Sequence, residues 1–227
     1  MLDSPNFGIV LSILAYAIGL NLYKKFKLPI LNPLLITVLI VISTLKYFDI
    51  SLETYNKGGN LIAFFLAPAT VILAVPLYKQ IDSLKKHFIP IIIGVSVGSI
   101  VSVVSVFALS KLFKLDEVII KSIIPKSITT PLGMEISKTF GGIIPITVVA
   151  IVITGILGAI IGPFIVDIAR IRTKIAKGIA IGTGSHAIGT SKAIEMGEVE
   201  GAMSGLAIGL AGCITVLIAP LAYKLFF

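Results

Sequence analysis

The sequence predicts an all-α polytopic membrane protein. It is expected to carry about seven transmembrane helices plus a re-entrant or broken segment, arranged as an inverted repeat with discontinuous helices. Three observations lead there. The chain of 227 residues is 56% hydrophobic and only 13% charged, where a soluble domain carries about 25% charged residues. Its charges are excluded from long windows. Its helix breakers and hydroxyls gather inside otherwise apolar stretches.

No Asp, Glu, Lys or Arg occurs in 4–23, 28–45, 58–78, 88–110, 139–166 or 201–223. A spanning helix needs about 20 mostly apolar residues, so each window spans or nearly spans. A seventh apolar segment, 178–191, is interrupted by Gly and His. The windows are continuous and lack the roughly ten-residue alternation of a barrel, so helices carry the spans.

The first window opens on MLDSPNFG, with an acid, no basic region and no small-residue cleavage site, and reads as an uncleaved span. Three spans, about 29–46, 58–78 and 88–113, then precede a polar segment at 115–140, and three more follow at about 143–169, 176–195 and 200–226. Pro33 and Pro145 open matching runs, and SKLF (110–113) and YKLF (223–226) close them, at offsets of 112 and 113. The whole chain, 1–227, thus reads as one transmembrane domain with repeats 29–113 and 143–226 joined by 115–140. Inverted repeats of this kind are common in secondary transporters.

The net charge of +8 does not point to nucleic acid, because the basic residues lie in short clusters between apolar windows. Placing KKFK (24–27), Lys79 with Lys85 and Lys86, and Arg170, Arg172, Lys174 and Lys177 in the cytoplasm puts the N-terminus outside. The segment 115–140 then enters and leaves from the outer side, with Lys111, Lys114, Lys121 and Lys126 starting there against the rule. Cys213 is the single cysteine, expected as a small core residue. No metal pattern, cofactor motif or catalytic triad is present: the Ser and His of TGSHAIG are one residue apart and cannot share a triad proton. No enzyme is expected.

Chemistry is expected where the helical pattern breaks. The three regions are FLAPATVILAVPLY (65–78), PKSITTPLGME (125–135) and GIAIGTGSHAIGTSKA (178–193). Broken backbone at membrane depth survives only where protein buries it or water reaches it. Its free N–H groups and the positive end of the helix dipole then attract anions. Pro131 suits the first position of a helix through LGMEISK, with Thr129 or Thr130 as cap. Thr183, Ser185 or Thr190 would cap a half-helix ending near Glu195. Two such starts would form a carboxylate site, with Lys126 adding charge. The small residues of 178–193 also suit plain helix packing.

Each ionisable residue has two readings. His186 is a structural hydrogen-bonder or a proton relay. Glu135 stabilises a helix start or couples a proton. Lys126 snorkels to the interface or touches the solute. Lys192 reads as a helix-end charge, and Asp167 as an interfacial ion pair with Arg170.

Six stretches resemble the LrgB/CidB membrane protein family: NPLL (32–35), LAPATVILAVPLY (66–78), PKSITTPLGMEIS (125–137), GG followed by Pro (141–145), TGILGAIIG (154–162) and GTGSHAIGTSKAIEMGEVEGAMSGLA (182–207). They run in order over nearly the whole chain. The resemblance implies a multi-pass protein of the bacterial cytoplasmic (inner) membrane. It implies either an antiholin- or holin-like regulator of murein hydrolases and autolysis, acting with an LrgA/CidA-type partner, or a secondary transporter of pyruvate, glycolate or glycerate. By fold-level analogy with transporters of crossed discontinuous helices, Pro68 to Thr70 would mark one break and Gly182 to Gly189 its mate. The expected solute site is therefore Lys126, Ser127, Thr129, Thr130, Pro131, Gly184, Ser185, His186, Gly189, Thr190, Pro68 and Thr70. Proton coupling is expected at His186 or Glu135. The expected partners are membrane lipid, a small carboxylate, the LrgA/CidA-type protein and a second copy in a homodimer.

Overall fold

The computed structural model describes residues 4–28, 31–65, 68, 78–79 and 81–227, and the side chains of these except 83 and 84. The described residues are helical, without strands. They fall into two compact units, residues 1–72 and 73–227.

In the first unit, α1 runs Pro5–Phe26, α2 Pro33–Tyr47 and α3 Leu52–Phe64. Each start is specified locally. The Ser4 hydroxyl accepts from the Asn6 N–H, Asn32 Oδ1 accepts from Leu34 and Leu35, and Ser51 accepts from Thr54. Pro5 and Pro33 sit in the first turn, where no donor is needed. α1 packs against both α2 and α3, and the Ser12 hydroxyl meets the Tyr55 phenol at 2.8 Å. The helix expected across 58–78 ends at Phe64, and most of the remainder of that segment lies outside the described residues.

The second unit comprises α4 (Ile81–Lys86), α5 (Phe88–Leu112), α6 (Glu117–Ile123), α7 (Thr130–Thr139), α8 (Ile144–Ile168), α9 (Lys174–Met196) and α10 (Glu198–Phe226). α9 is its centre, packed on α10, α8 and α5. The closeness of α9 and α10 rests on small residues: a Cβ at Gly182 would run into the carbonyl oxygen of Ser204. One core cluster joins Ile91 and Val95 of α5 to Ile179 of α9 and to Met203, Ala207 and Ala211 of α10. A second joins α5 and α10 to the polar segment through Val103, Val106, Ile124, Ile128, Ala222 and Tyr223.

α1, α5, α8 and α10 are long and apolar enough to cross a bilayer. The polar segment 115–140 forms two short helices, α6 of 7 residues and α7 of 10, joined by a turn. Neither can cross alone. Pro125, Ser127 and Ile128 of that turn are buried. The Tyr223 hydroxyl donates to the Lys121 carbonyl at 2.6 Å, and the Tyr223 ring stacks on Phe140.

Two expectations need correction. Cys213 is exposed, not a core residue; Ala211, Gly212 and Thr215 occupy the buried side of α10 instead. Asp167 pairs with Lys177 at 2.6 Å rather than with Arg170. Arg170 adopts φ 53° just beyond the end of α8, and Lys177 reaches back from the first turns of α9.

Candidate functional site

α9 is not one helix. At Ser185 (φ −138°, ψ 15°) and His186 (φ 44°, ψ −142°) the backbone leaves the helical region. The sequence explains the position of the break. Gly182, Gly184 and Gly189 lower the helical preference of the stretch, and small residues on the neighbouring helices admit the distorted turn. A Cβ at Gly158 of α8 would collide with the Ser185 side chain. His186 is 3% exposed, and its Nε2 lies 2.9 Å from the Ile151 carbonyl oxygen of α8.

The Ser185 and Thr190 hydroxyls beside the break are committed to structure. Ser185 donates to the Ile181 carbonyl at 2.6 Å and Thr190 to the His186 carbonyl at 2.9 Å. Thr190 Oγ1 also meets Ser204 Oγ at 2.7 Å. Neither hydroxyl therefore caps the second half of α9 as the sequence suggested; both bond back toward the preceding turn.

Two grooves flank the first half of α9. The larger, about 640 Å³, runs between α5 and α9 past Pro90, Gly94, Val97 and Gly98 to Ser102, Thr183 and Gly184. The smaller, about 490 Å³, runs between α8 and α9 past Ile165, Ile161 and Gly158 to Ser185, Gly184 and Lys126. They share Gly184, so the chain just before the break is open to both. Lys126 Nζ donates to Ser127 Oγ at 3.2 Å, and Ser127 Oγ is 2.7 Å from Ser102 Oγ of α5. Among the described residues no carboxylate pairs with Lys126.

Behind these the hydroxyl residues Ser99, Ser102, Ser127, Thr183 and Thr215 converge, beside Val103, Ile128 and Ala211, on a packed crevice with no room for a water molecule. Ser99 and Thr183 are 3% and 7% exposed, and their hydroxyl oxygens have no hydrogen-bond partner. A buried hydroxyl left unsatisfied costs about 1–3 kcal/mol, so two at one crevice are a marked feature.

The structure thus brings together Lys126, Ser127, Gly184, Ser185 and His186 of the expected site, with Gly189 and Thr190 just beyond the break. Thr129 occupies the N-cap of α7 without a side-chain cap bond, and Thr130 and Pro131 form its first two positions. Pro131 and Glu135 are exposed and line none of these cavities. Pro68 is described as a lone exposed position, and Thr70 lies outside the described residues. Ser99, Ser102 and Thr215 were missed by the sequence reading. The available signal was the α5 stripe Ile91, Val95, Ser99, Val103, which places a hydroxyl on the buried face of a helix that is otherwise almost wholly apolar there.

The apolar helices, the broken α9 and the hydroxyl-lined interior define a helical membrane protein. Residues 12–225 match the family described as LrgB-like. The chain is 41% identical over 219 residues to the antiholin-like protein LrgB of Bacillus cereus (strain B4264), covering 96% of this chain and 95% of the relative. The same identity and coverage hold for the antiholin-like protein LrgB of Bacillus anthracis (strain A0248). The protein belongs to the LrgB-like family. No solved structure matches it.

Proposed function

We propose that this protein is a multi-pass protein of the bacterial cytoplasmic membrane that binds a small monocarboxylate at the break in α9 and carries it across. The observation that supports this reading is the discontinuity at Ser185–His186, open through Gly184 to two grooves. A helix interrupted inside the membrane frees backbone groups for a solute, as in secondary transporters. Pro33 and Pro145, each in the first turn of its helix, favour the inverted repeat. Alternating access would come from rocking one repeat against the other. Pyruvate, glycolate and glycerate are the solutes proposed.

The comparisons favour a second reading, and more directly than the first. The relatives bear the name antiholin-like protein LrgB. On this reading the protein restrains murein hydrolase activity and autolysis with an LrgA/CidA-type partner. A homodimer and the partner complex are both compatible with either role. Neither role is enzymatic.

The test is reconstitution of the protein alone in liposomes, with counterflow of labelled pyruvate and glycolate. Saturable exchange that is lost in the Ser127→Ala, Thr130→Ala double variant supports the carrier. Absence of exchange by folded, inserted protein, with lysis control restored in cells by the same protein and an LrgA-type partner, supports the antiholin reading.

A further inference from the structure

We propose that the α5–α9 groove binds one anionic phospholipid, its head group at the basic mouth where α5 and α9 begin and an acyl chain lying along the groove toward Gly184. The site stands whether the protein carries a solute or restrains lysis.

The walls follow a four-residue rhythm. Pro90, Gly94, Gly98 and Ser102 succeed one another along α5, and Ala176, Ala180 and Gly184 along α9. Residues four apart share a helix face, so each helix turns a strip of small residues to the groove. Such strips ordinarily let membrane helices close on each other. Here α5 and α9 meet instead through Ile91, Val95 and Ile179 of the core. A Cβ at Gly94 would find only ordinary contact, 3.8 Å from Ile179 Cγ2. Toward the break the helices come closer, where a Cβ at Gly98 would lie 2.8 Å from Thr183 Cγ2. The space left open is about 640 Å³ and no charged side chain lines it between Pro90 and Ser102. The exposed neighbours Ile89, Ile93 and Val97 keep its border apolar.

Its dimensions suit a hydrocarbon chain. From Thr173 to Gly184 α9 rises about 17 Å, and one leaflet supplies about 15 Å of hydrocarbon core. Spread over that length, the volume gives a mean section of about 40 Å², about half that of an α-helix 10–12 Å across. An extended chain fits. A helix from a partner or a second copy would rest on the lips and leave the groove unfilled.

The mouth has the opposite chemistry. His87 is the N-cap of α5 and Thr173 the N-cap of α9, and both line the groove. The N–H groups of Phe88 and Ile89, and of Lys174 and Ile175, have no acceptor within their helices, and both dipoles bring their positive ends here. Lys85 and Lys86 precede His87, Arg172 and Lys174 flank Thr173, and all four are exposed. Glu198 pairs with Lys79 and Asp167 with Lys177, so among the described residues no carboxylate pairs with these four. Asp82 of α4 offsets one charge and leaves the rim cationic. Basic residues at a membrane surface are ordinary. Set around two helix starts, at the open end of an apolar groove one leaflet deep, they match a phosphate joined to an acyl chain. A free phosphate would leave the groove empty, and a zwitterionic lipid would bring a cation to a cationic rim.

The experiment uses the purified intact protein, delipidated in detergent. It reads thermal unfolding on addition of dioleoyl phosphatidylglycerol, dioleoyl phosphatidylcholine or glycerol 3-phosphate. Phosphatidylglycerol is expected to stabilise saturably, at a concentration at least tenfold below that of phosphatidylcholine, with a preference that falls as salt rises. Glycerol 3-phosphate should not stabilise. Combining Lys85→Gln, Lys86→Gln, Arg172→Gln and Lys174→Gln should abolish the preference. Gly94→Leu, which fills the groove from α5, should weaken phosphatidylglycerol at least fivefold; where it unfolds, Ala176→Leu fills the groove from α9. Combining Lys24→Gln, Lys25→Gln and Lys27→Gln, at the end of α1, should leave binding unchanged. Equal binding of the two lipids overturns the site by removing charge recognition. An equal loss in the α1 variant overturns it in favour of diffuse attraction. Unaltered binding in the groove variants reduces it to a surface head-group contact and overturns it. Equal stabilisation by glycerol 3-phosphate overturns it in favour of free phosphate.

Discussion

His186 Nε2 lies 2.9 Å from the carbonyl oxygen of Ile151, thirty-five positions earlier and on a different helix. That bond ties the break in α9 to the N-terminal half of α8. It also gives the imidazole a structural duty before any other, because the ring is buried at 3% exposure.

Replacing the ring tests that duty. His186→Ala should lower stability by about 1–3 kcal/mol, the cost of leaving a buried polar group unmatched. The backbone there has φ 44°, a region that glycine occupies without a Cβ penalty. His186→Gly should therefore be less damaging than His186→Ala, an inverted order for a helical segment. Thermal unfolding in detergent decides it, and equal or reversed losses would show that the backbone is relaxed. If His186 also couples a proton, the pH dependence of liposome flux should change in His186→Gln; an unchanged profile removes that role.

Thr190 and Ser204 join the second half of α9 to α10 through a buried 2.7 Å bond. Thr190→Val and Ser204→Ala should each destabilise by roughly 1 kcal/mol. The double variant should fall short of the sum, since either single change already breaks the bond. Strict additivity in a double-mutant cycle would mean that the two hydroxyls do not interact.

Gly182 faces the Ser204 backbone so closely that a side chain has no room. Gly182→Val should separate α9 from α10 and abolish monodisperse folded protein, as read by size-exclusion chromatography. Gly205 has open space beside it, so Gly205→Ala should elute like the wild type.

The exposed Lys177–Asp167 pair gives the opposite expectation. Water and salt screen such pairs, which are worth about 0–1 kcal/mol. Asp167→Asn should shift the unfolding temperature little, and less still at high salt. A large, salt-insensitive loss would show that the pair is desolvated in the membrane-embedded protein.

Much of the architecture was legible because bilayer length and charge exclusion act on whole windows. The runs 88–110, 139–166 and 201–223 became α5, α8 and α10. The fragility of 178–193 was also legible, since glycines and a histidine in an apolar run weaken a helix locally. The exact break was not: it depends on Gly158 making room for Ser185 and on Ile151 receiving His186, contacts between distant positions. The hydroxyl cluster was hidden for the same reason. Ser99, Ser127 and Thr183 belong to three segments, and nothing within any one of them shows that they face one space. Cys213 was misjudged because small size alone does not say which side of a helix a residue occupies.

The bond from Tyr223 to the Lys121 carbonyl spans 102 positions of sequence. It bears on the order in which the protein is made. Ile120, Ile124 and Ile128 share their core cluster with Ala219, Ala222 and Tyr223. During synthesis the turn carrying Lys126 and Ser127 leaves the ribosome long before α10 does. Its tertiary lock then waits while two long helices, α8 and α9, are made and inserted. Nascent chains halted before Tyr223 should leave this segment open to proteases or chaperones, and completion of α10 should close it.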